Sequence, residues 1–225
     1  MQNPNTKAFG GLLFLLVVMA ALLFIPAGTL DYRRAWVFLA VFGGSALAIT
    51  LYLMKADPGL LARRVRAGPT AEKETRQQII QSIAAVGFIA TLVVPALDDR
   101  WHWSRVPAAV AVAGDALVAF GFLVIFFVYR ENSFASATVE VVAGQRLIST
   151  GPYGLIRHPM YSGALVMLAG MPLALGSWWG LLALVVMLPA LIWRLLDEES
   201  FLTGHLAGYS AYRSRVPYRL VPFAW

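Results

Sequence analysis

The sequence predicts an all-α, polytopic membrane protein of about six transmembrane helices, ending in a helical hairpin. Three observations carry that prediction. The 225 residues are 59% hydrophobic and only 13% charged, against roughly 45–50% and about 25% in a soluble globular domain. Mean hydropathy is +0.69, so there is too little polar surface to cover the chain in water. Apolar tracts also recur along the sequence, each close to the ~20 residues that cross a ~30 Å hydrocarbon core.

Taken in order, the first tract runs from Phe9 to Leu30 and the second from Ala35 to Met54. The first is too long for a signal-peptide core, and no A-x-A-like cleavage site precedes Asp31, so it reads as a permanent span. The third tract covers Ile79–Leu97 and the fourth Val106–Tyr129. The last, Pro159–Leu196, has 38 residues. As one helix it would extend about 57 Å, nearly twice the core thickness. Gly176-Ser177 near its middle offers a turn, which makes it a hairpin of two spans. Between the second and third tracts, the connector 55–78 reads as an interfacial amphipathic segment, with Leu60, Leu61 and Val65 facing lipid.

Basic residues fix the orientation. Fourteen Lys and Arg fall on the N-terminus, the even loops and the tail, and four on the opposite side. The positive-inside rule then places both termini in the cytoplasm. Net charge is +6, which in this setting suits anionic lipid headgroups. No nucleic-acid-binding signature accompanies it. The absence of cysteine excludes disulfides, thiolate ligands and Cys nucleophiles. His102, His158 and His205 are scattered, so no metal site is expected.

Polar chemistry divides the chain unevenly. Residues 1–129 read as a scaffold of four spans, and residues 130–225 as the chemically able region of connector, hairpin and tail. The string Gly151-Pro-Tyr-Gly-Leu-Ile-Arg-His-Pro-Met-Tyr-Ser-Gly163 is dense in shape-fixing residues. Pro159 suits the first position of the fifth span, and His158 before it is pushed out of the helical region. The exposed N–H groups of that helix, with Arg157 beside them, favour an anion. Gly163 permits close approach of a ligand or another helix.

At the far end of the hairpin, Arg194 and Glu198 are four apart and share a helix face. By the hairpin count they emerge on the same membrane side as His158 and Tyr161. Phe201, His205, Tyr209 and Tyr212 follow at helical spacing and would form an aromatic stripe over the hairpin base. Asp115 lies within the fourth span, where an acid is costly. An interior hydrogen-bonding role is preferred for it.

Asn132-Ser-Phe-Ala135, then Gly151-Pro-Tyr, then Arg157-His-Pro-Met-Tyr161-Ser-Gly163, Arg194-x-x-x-Glu198-Glu199 and Tyr209/Tyr212 together resemble the isoprenylcysteine carboxyl methyltransferase family. Those enzymes are membrane-integral, use S-adenosylmethionine, and are similar to phospholipid methyltransferases. The resemblance covers about 130–222. It implies that Tyr153, Arg157, His158, Pro159, Tyr161, Gly163, Glu199, Tyr209 and Tyr212 enclose S-adenosylmethionine on the cytoplasmic side, and that Arg194 and Glu198 border the methyl-transfer site. Arginine would suit the cofactor carboxylate, glutamate its ammonium, and aromatic rings its sulfonium and adenine.

The expected partners are the bilayer, a bacterial inner membrane by the economy of the loops, and a lipophilic or prenylated acceptor. Carboxyl O-methylation is the reaction most like the family's. Phospholipid N-methylation, thiol S-methylation, a sterol-type NADPH-dependent reductase and a non-enzymatic scaffold stand as alternatives.

Overall fold

The computed structural model describes residues 4–65, 72, 74–139, 141 and 144–225. Arg66, Pro69 and Lys73 of the predicted amphipathic connector lie outside them. The described residues form eight α-helices and no strand: α1 (Pro4–Ala27), α2 (Arg33–Ala56), α3 (Pro58–Val65), α4 (Thr75–Trp101), α5 (Ala108–Glu131), α6 (Pro159–Ala174), α7 (Gly180–His205) and α8 (Tyr209–Arg215). A 3-10 turn at Gly151–Gly154 precedes α6. Five of the helices, α1, α2, α4, α5 and α7, are long and apolar enough to cross a membrane. α6 has 16 residues, about 24 Å of rise, and is the short limb of the predicted hairpin.

The hairpin turn falls where it was expected. Gly176 adopts a positive φ of 82°, and its N–H and that of Ser177 cap α6 through Leu173 O and Pro172 O. The domain boundary suggested after residue 129 falls in the last turn of α5.

One core joins all six large helices: Met19 and Leu23 of α1, Phe38 of α2, Leu92 of α4, Val118 of α5, Met171 of α6 and Met187 of α7 are all almost fully buried. Elsewhere large apolar side chains such as Phe14, Ile25, Val86, Val112 and Val186 point outward, as a lipid-facing surface requires.

The tightest packing is between α5 and α6. A Cβ on Gly170 would sit 2.6 Å from Gly114 O, and one on Gly121 2.6 Å from Gly163 O. Glycines at these crossings let the two backbones touch. Gly163 therefore serves helix packing.

α3 departs from the sequence expectation. Leu60 and Leu61 are buried at 0% and 5% exposure, packed with Ala8, Leu53, Val128 and Tyr129. Only Val65 of the three is exposed. The short helix folds back under the bundle because Arg63 and Arg64 reach the carbonyls of Ser133 and Ser136. Those bonds tie it to the α5–α6 connector rather than to lipid.

The two ends of the bundle are both polar. At the hairpin end, buried Asp98 accepts from Ser104 N at 2.7 Å and from the hydroxyls of Ser104 and Ser177. Nearby, Tyr32 Oη donates to Leu175 O at 2.6 Å. Trp36, Trp101, Trp103, Trp178 and Trp179 surround this end and are all exposed, in the manner of an interfacial aromatic belt.

Candidate active site

The opposite end gathers the N-termini of α4 and α6, the C-termini of α5 and α7, and α8 around a cavity of about 410 Å³. That is within the usual range for ligand pockets. Its floor, toward the bundle centre, is apolar: Ala84, Ile125, Met167 and Leu191, one from each of α4 to α7. Its walls are aromatic and polar, with Tyr129, Phe134, Tyr153, Tyr161, Tyr209 and Tyr212 facing Arg64, Arg146, Arg157, His158, Arg194 and Glu198.

The sequence places His158 and Pro159 as expected. His158 is the N-cap of α6 with φ −124° and Pro159 opens the helix; both line the cavity. The anion expectation at this helix end changes, however. Arg157 N and His158 N donate to Tyr218 O and Arg219 O of the tail, at 2.9 and 3.0 Å. The Arg157 side chain binds Glu199 Oε1 at 2.6 Å and the carbonyls of Val216 and Pro217. His158 Nε2 and Arg219 Nε also meet Glu199, at 3.2 and 3.0 Å.

Glu199 thus sits at the centre of a buried clasp holding the tail to α6, and does not line the cavity. Burying these charges is tolerable because each is paired and hydrogen-bonded. Glu199 and the charge of Arg157 are engaged by the chain itself, which leaves Arg64 and Arg146 as cavity cations with no carboxylate partner among the described residues.

Arg194 and Glu198 do share a face, but Tyr161 stands between them. Arg194 Nε donates to Tyr161 Oη at 3.0 Å, and Tyr161 Oη donates to Glu198 Oε2 at 2.7 Å. The other arms of Arg194 are occupied: Nη1 by Gln77 Oε1 at 2.7 Å, Nη2 by Ala137 O and Glu72 Oε1, both at 2.9 Å. A guanidinium so satisfied has no free fork for a carboxylate ligand.

The aromatic stripe is broken in two. α7 ends at His205, and Gly208 takes a positive φ of 82° before α8. Phe201 and His205 stack at 4.2 Å away from the cavity. Tyr209 and Tyr212 turn inward to 4% and 1% exposure. Tyr212 Oη donates to Tyr153 O at 2.8 Å, and Tyr153 Oη accepts from Asn132 Nδ2 at 2.9 Å. Burial pushes the Tyr153 phenol up to about 12, so it is neutral at any physiological pH. Burial raises Tyr209 and Tyr212 as well.

The Tyr209 hydroxyl is buried and has no hydrogen-bond partner among the described residues, an arrangement that costs about 1–3 kcal/mol unless a ligand supplies one. Asp115 is far from this site by sequence position in α5, half-buried, with Oδ1 unpartnered.

Sequence reasoning missed Glu72, Gln77, Arg64 and Arg146. Gln77 and Gln81 form an i, i+4 polar pair entering an apolar tract, which is a readable signal. Glu72 carried none, because a lone acid in a mixed-charge connector looks like any solvated residue.

Fold and site together define a polytopic membrane protein with an aromatic-walled polar cavity at one end of its bundle. Residues 109–207, less than half of the chain, match the phospholipid methyltransferase family. That match points to a membrane methyltransferase. The chain is also similar to the Delta(14)-sterol reductase TM7SF2 of Mus musculus, 29% identical over 91 residues, which are 39% of this chain and 22% of that protein. The chain thus spans about a fifth of that relative's length. Arg64, Glu72 and Gln77 precede the family-matched segment, and Tyr209 and Tyr212 follow it.

Proposed function

We propose that the protein is an integral membrane methyltransferase that transfers the methyl group of S-adenosylmethionine to a lipophilic acceptor at the cytoplasmic face. The observation that carries this reading is the cavity itself. It combines aromatic walls, an apolar floor on the bundle side, and a buried tyrosine hydroxyl awaiting a partner. The donor set fits the cofactor. Arg64 and Arg146 would hold its carboxylate, Glu198 its ammonium or the acceptor, and Tyr129, Tyr153, Tyr209 and Tyr212 its sulfonium and adenine. When bound, S-adenosylmethionine supplies a methyl carbon activated by the adjoining sulfonium.

The chain contributes position, dryness and a proton acceptor. Tyr161 and the buried Arg194 shape the wall near Glu198, and the clasp at Glu199 closes the tail over the site, so that water is excluded. Because Arg194 is fully occupied, a carboxylate acceptor has no evident cation there. We therefore favour a lipid amine or thiol over carboxyl O-methylation. Its proton passes to Glu198 Oε, whose one direct partner among the described residues is the Tyr161 hydroxyl. The match to phospholipid methyltransferases supports an amine headgroup.

Isothermal titration of the detergent-solubilised protein tests the reading: saturable heat with S-adenosylmethionine and none with NADPH is expected. The reverse would favour the sterol-reductase reading, which rests on the similarity to TM7SF2. The fourteen-to-four charge asymmetry supports the orientation. Reporter fusions at Trp225 and within 98–103 should report opposite sides of the membrane.

A further inference from the structure

Glu72 is 5% exposed and sits in a connector otherwise rich in charge. Its Oε1 meets Arg194 Nη2 at 2.9 Å and its Oε2 accepts from Val139 N at 3.4 Å. Its own carbonyl is held by Gln78 Nε2 at 3.0 Å. Gln77, also buried, takes the second arm of Arg194 while its amide nitrogen donates to Asp197. Asp197 in turn pairs with Arg76 at 3.0 Å.

Two connectors and two helices therefore converge on one guanidinium. Its Nε donates to the Tyr161 hydroxyl, which in turn donates to Glu198. An unpaired arginine in this place would compete for Glu198 itself, four residues away on the same face.

We propose that Glu72, with Gln77, is a positioning residue for Arg194. By neutralising and anchoring the guanidinium, it keeps Tyr161 hydrogen-bonded to Glu198 and keeps Glu198 free to take the acceptor's proton. The N-terminal half of the chain, outside the family-matched segment, thereby completes the active site. The effect on turnover rests on the methyltransferase reading; the restraint on Arg194 does not.

NMR of the full chain labelled with ¹⁵N-arginine, in nanodiscs without cofactor, reads that restraint directly. The Arg194 Nε–H signal is assigned by its loss in Arg194→Lys. In the wild type it exchanges with water at least about tenfold more slowly than exposed Arg33, as a buried charge-assisted bond should. Glu72→Ala brings it to the exposed rate and Glu72→Gln falls between. Gln77→Leu gives the same direction if Glu72→Ala does not fold.

The second readout is methyl transfer to dioleoylphosphatidylethanolamine vesicles, expressed per S-adenosylmethionine-binding site. Glu72→Ala lowers kcat about tenfold or more with KM for the cofactor within about threefold, the size expected for losing a charged hydrogen bond in the reacting state. In an Arg194→Lys background the same change costs less than about twofold, because Glu72 acts through Arg194. An Arg194 signal indifferent to both Glu72→Ala and Gln77→Leu overturns the proposal, as do additive losses in the double variant. A wild type that methylates no lipid while the NMR behaves as expected overturns the methyltransferase reading and leaves the anchoring of Arg194 standing.

Discussion

The two polar ends of the bundle are built from similar materials and differ in one respect. At the hairpin end the polar groups close on one another: Asp98 accepts three hydrogen bonds from Ser104 and Ser177, Tyr32 closes on Leu175 O, and Arg34 on Val106 O at 2.8 Å. At the opposite end the network is left incomplete. Glu199 and Arg194 are saturated, yet beside them lies a cavity in which, among the described residues, the Tyr209 hydroxyl has no partner and Glu198 has a single one. A closed polar network holds helices together; an incomplete one, walled by aromatics, has room for a ligand.

Substitutions at the two ends should separate these roles. The largest effect is expected at the clasp. Glu199→Ala strands the buried Arg157 charge, and loss of one member of such a pair costs about 3–5 kcal/mol. Thermal unfolding in detergent should show it, together with faster proteolysis of the tail after Val216. Next, Asp98→Ala at the hairpin end leaves Ser104 N and two hydroxyls unmatched and should cost about 2–3 kcal/mol. S-adenosylmethionine affinity of the folded fraction should be unchanged, which equilibrium binding checks. If binding falls in step with stability, the two ends are not independent.

The smallest effect has the most telling sign. Tyr209→Phe removes an unsatisfied hydroxyl, so the cofactor-free protein should be as stable as the wild type or about 1 kcal/mol more so. Cofactor affinity should nevertheless drop about fivefold, by the same hydrogen-bond magnitude. A parallel fall in stability would show that this hydroxyl is structural.

The helices were legible because membrane spans announce themselves by length and apolarity: the first four predicted spans fall within about five residues of their helices, while α7 runs on to His205, past the predicted end at Leu196, and α6 is shorter than a full span. The turn at Gly176 was legible because few residues adopt its φ. The lining of the site was partly legible: His158, Tyr161, Arg194 and Glu198 converge because a hairpin returns its two ends to one side. What sequence could not carry was the pairing. Arg157 with Glu199, and Arg194 with Glu72, are contacts between segments 42 and 122 residues apart, and charge pairing at such separation has no periodicity to read. Leu60 and Leu61 were misplaced toward lipid for a related reason: an amphipathic eight-residue helix looks the same whether its apolar face meets a bilayer or the underside of its own bundle.

The central proposal is that the cavity at the Tyr209–Glu198 end holds S-adenosylmethionine. Hydrogen exchange of the nanodisc-embedded chain, with and without S-adenosylmethionine, tests place and ligand in one measurement. The expected result is slower exchange confined to the cavity rim, at 132–139, 153–161 and 206–212, with the hairpin end around 98–106 unchanged. Protection absent from the rim, or produced there by NADPH and not by S-adenosylmethionine, would contradict it.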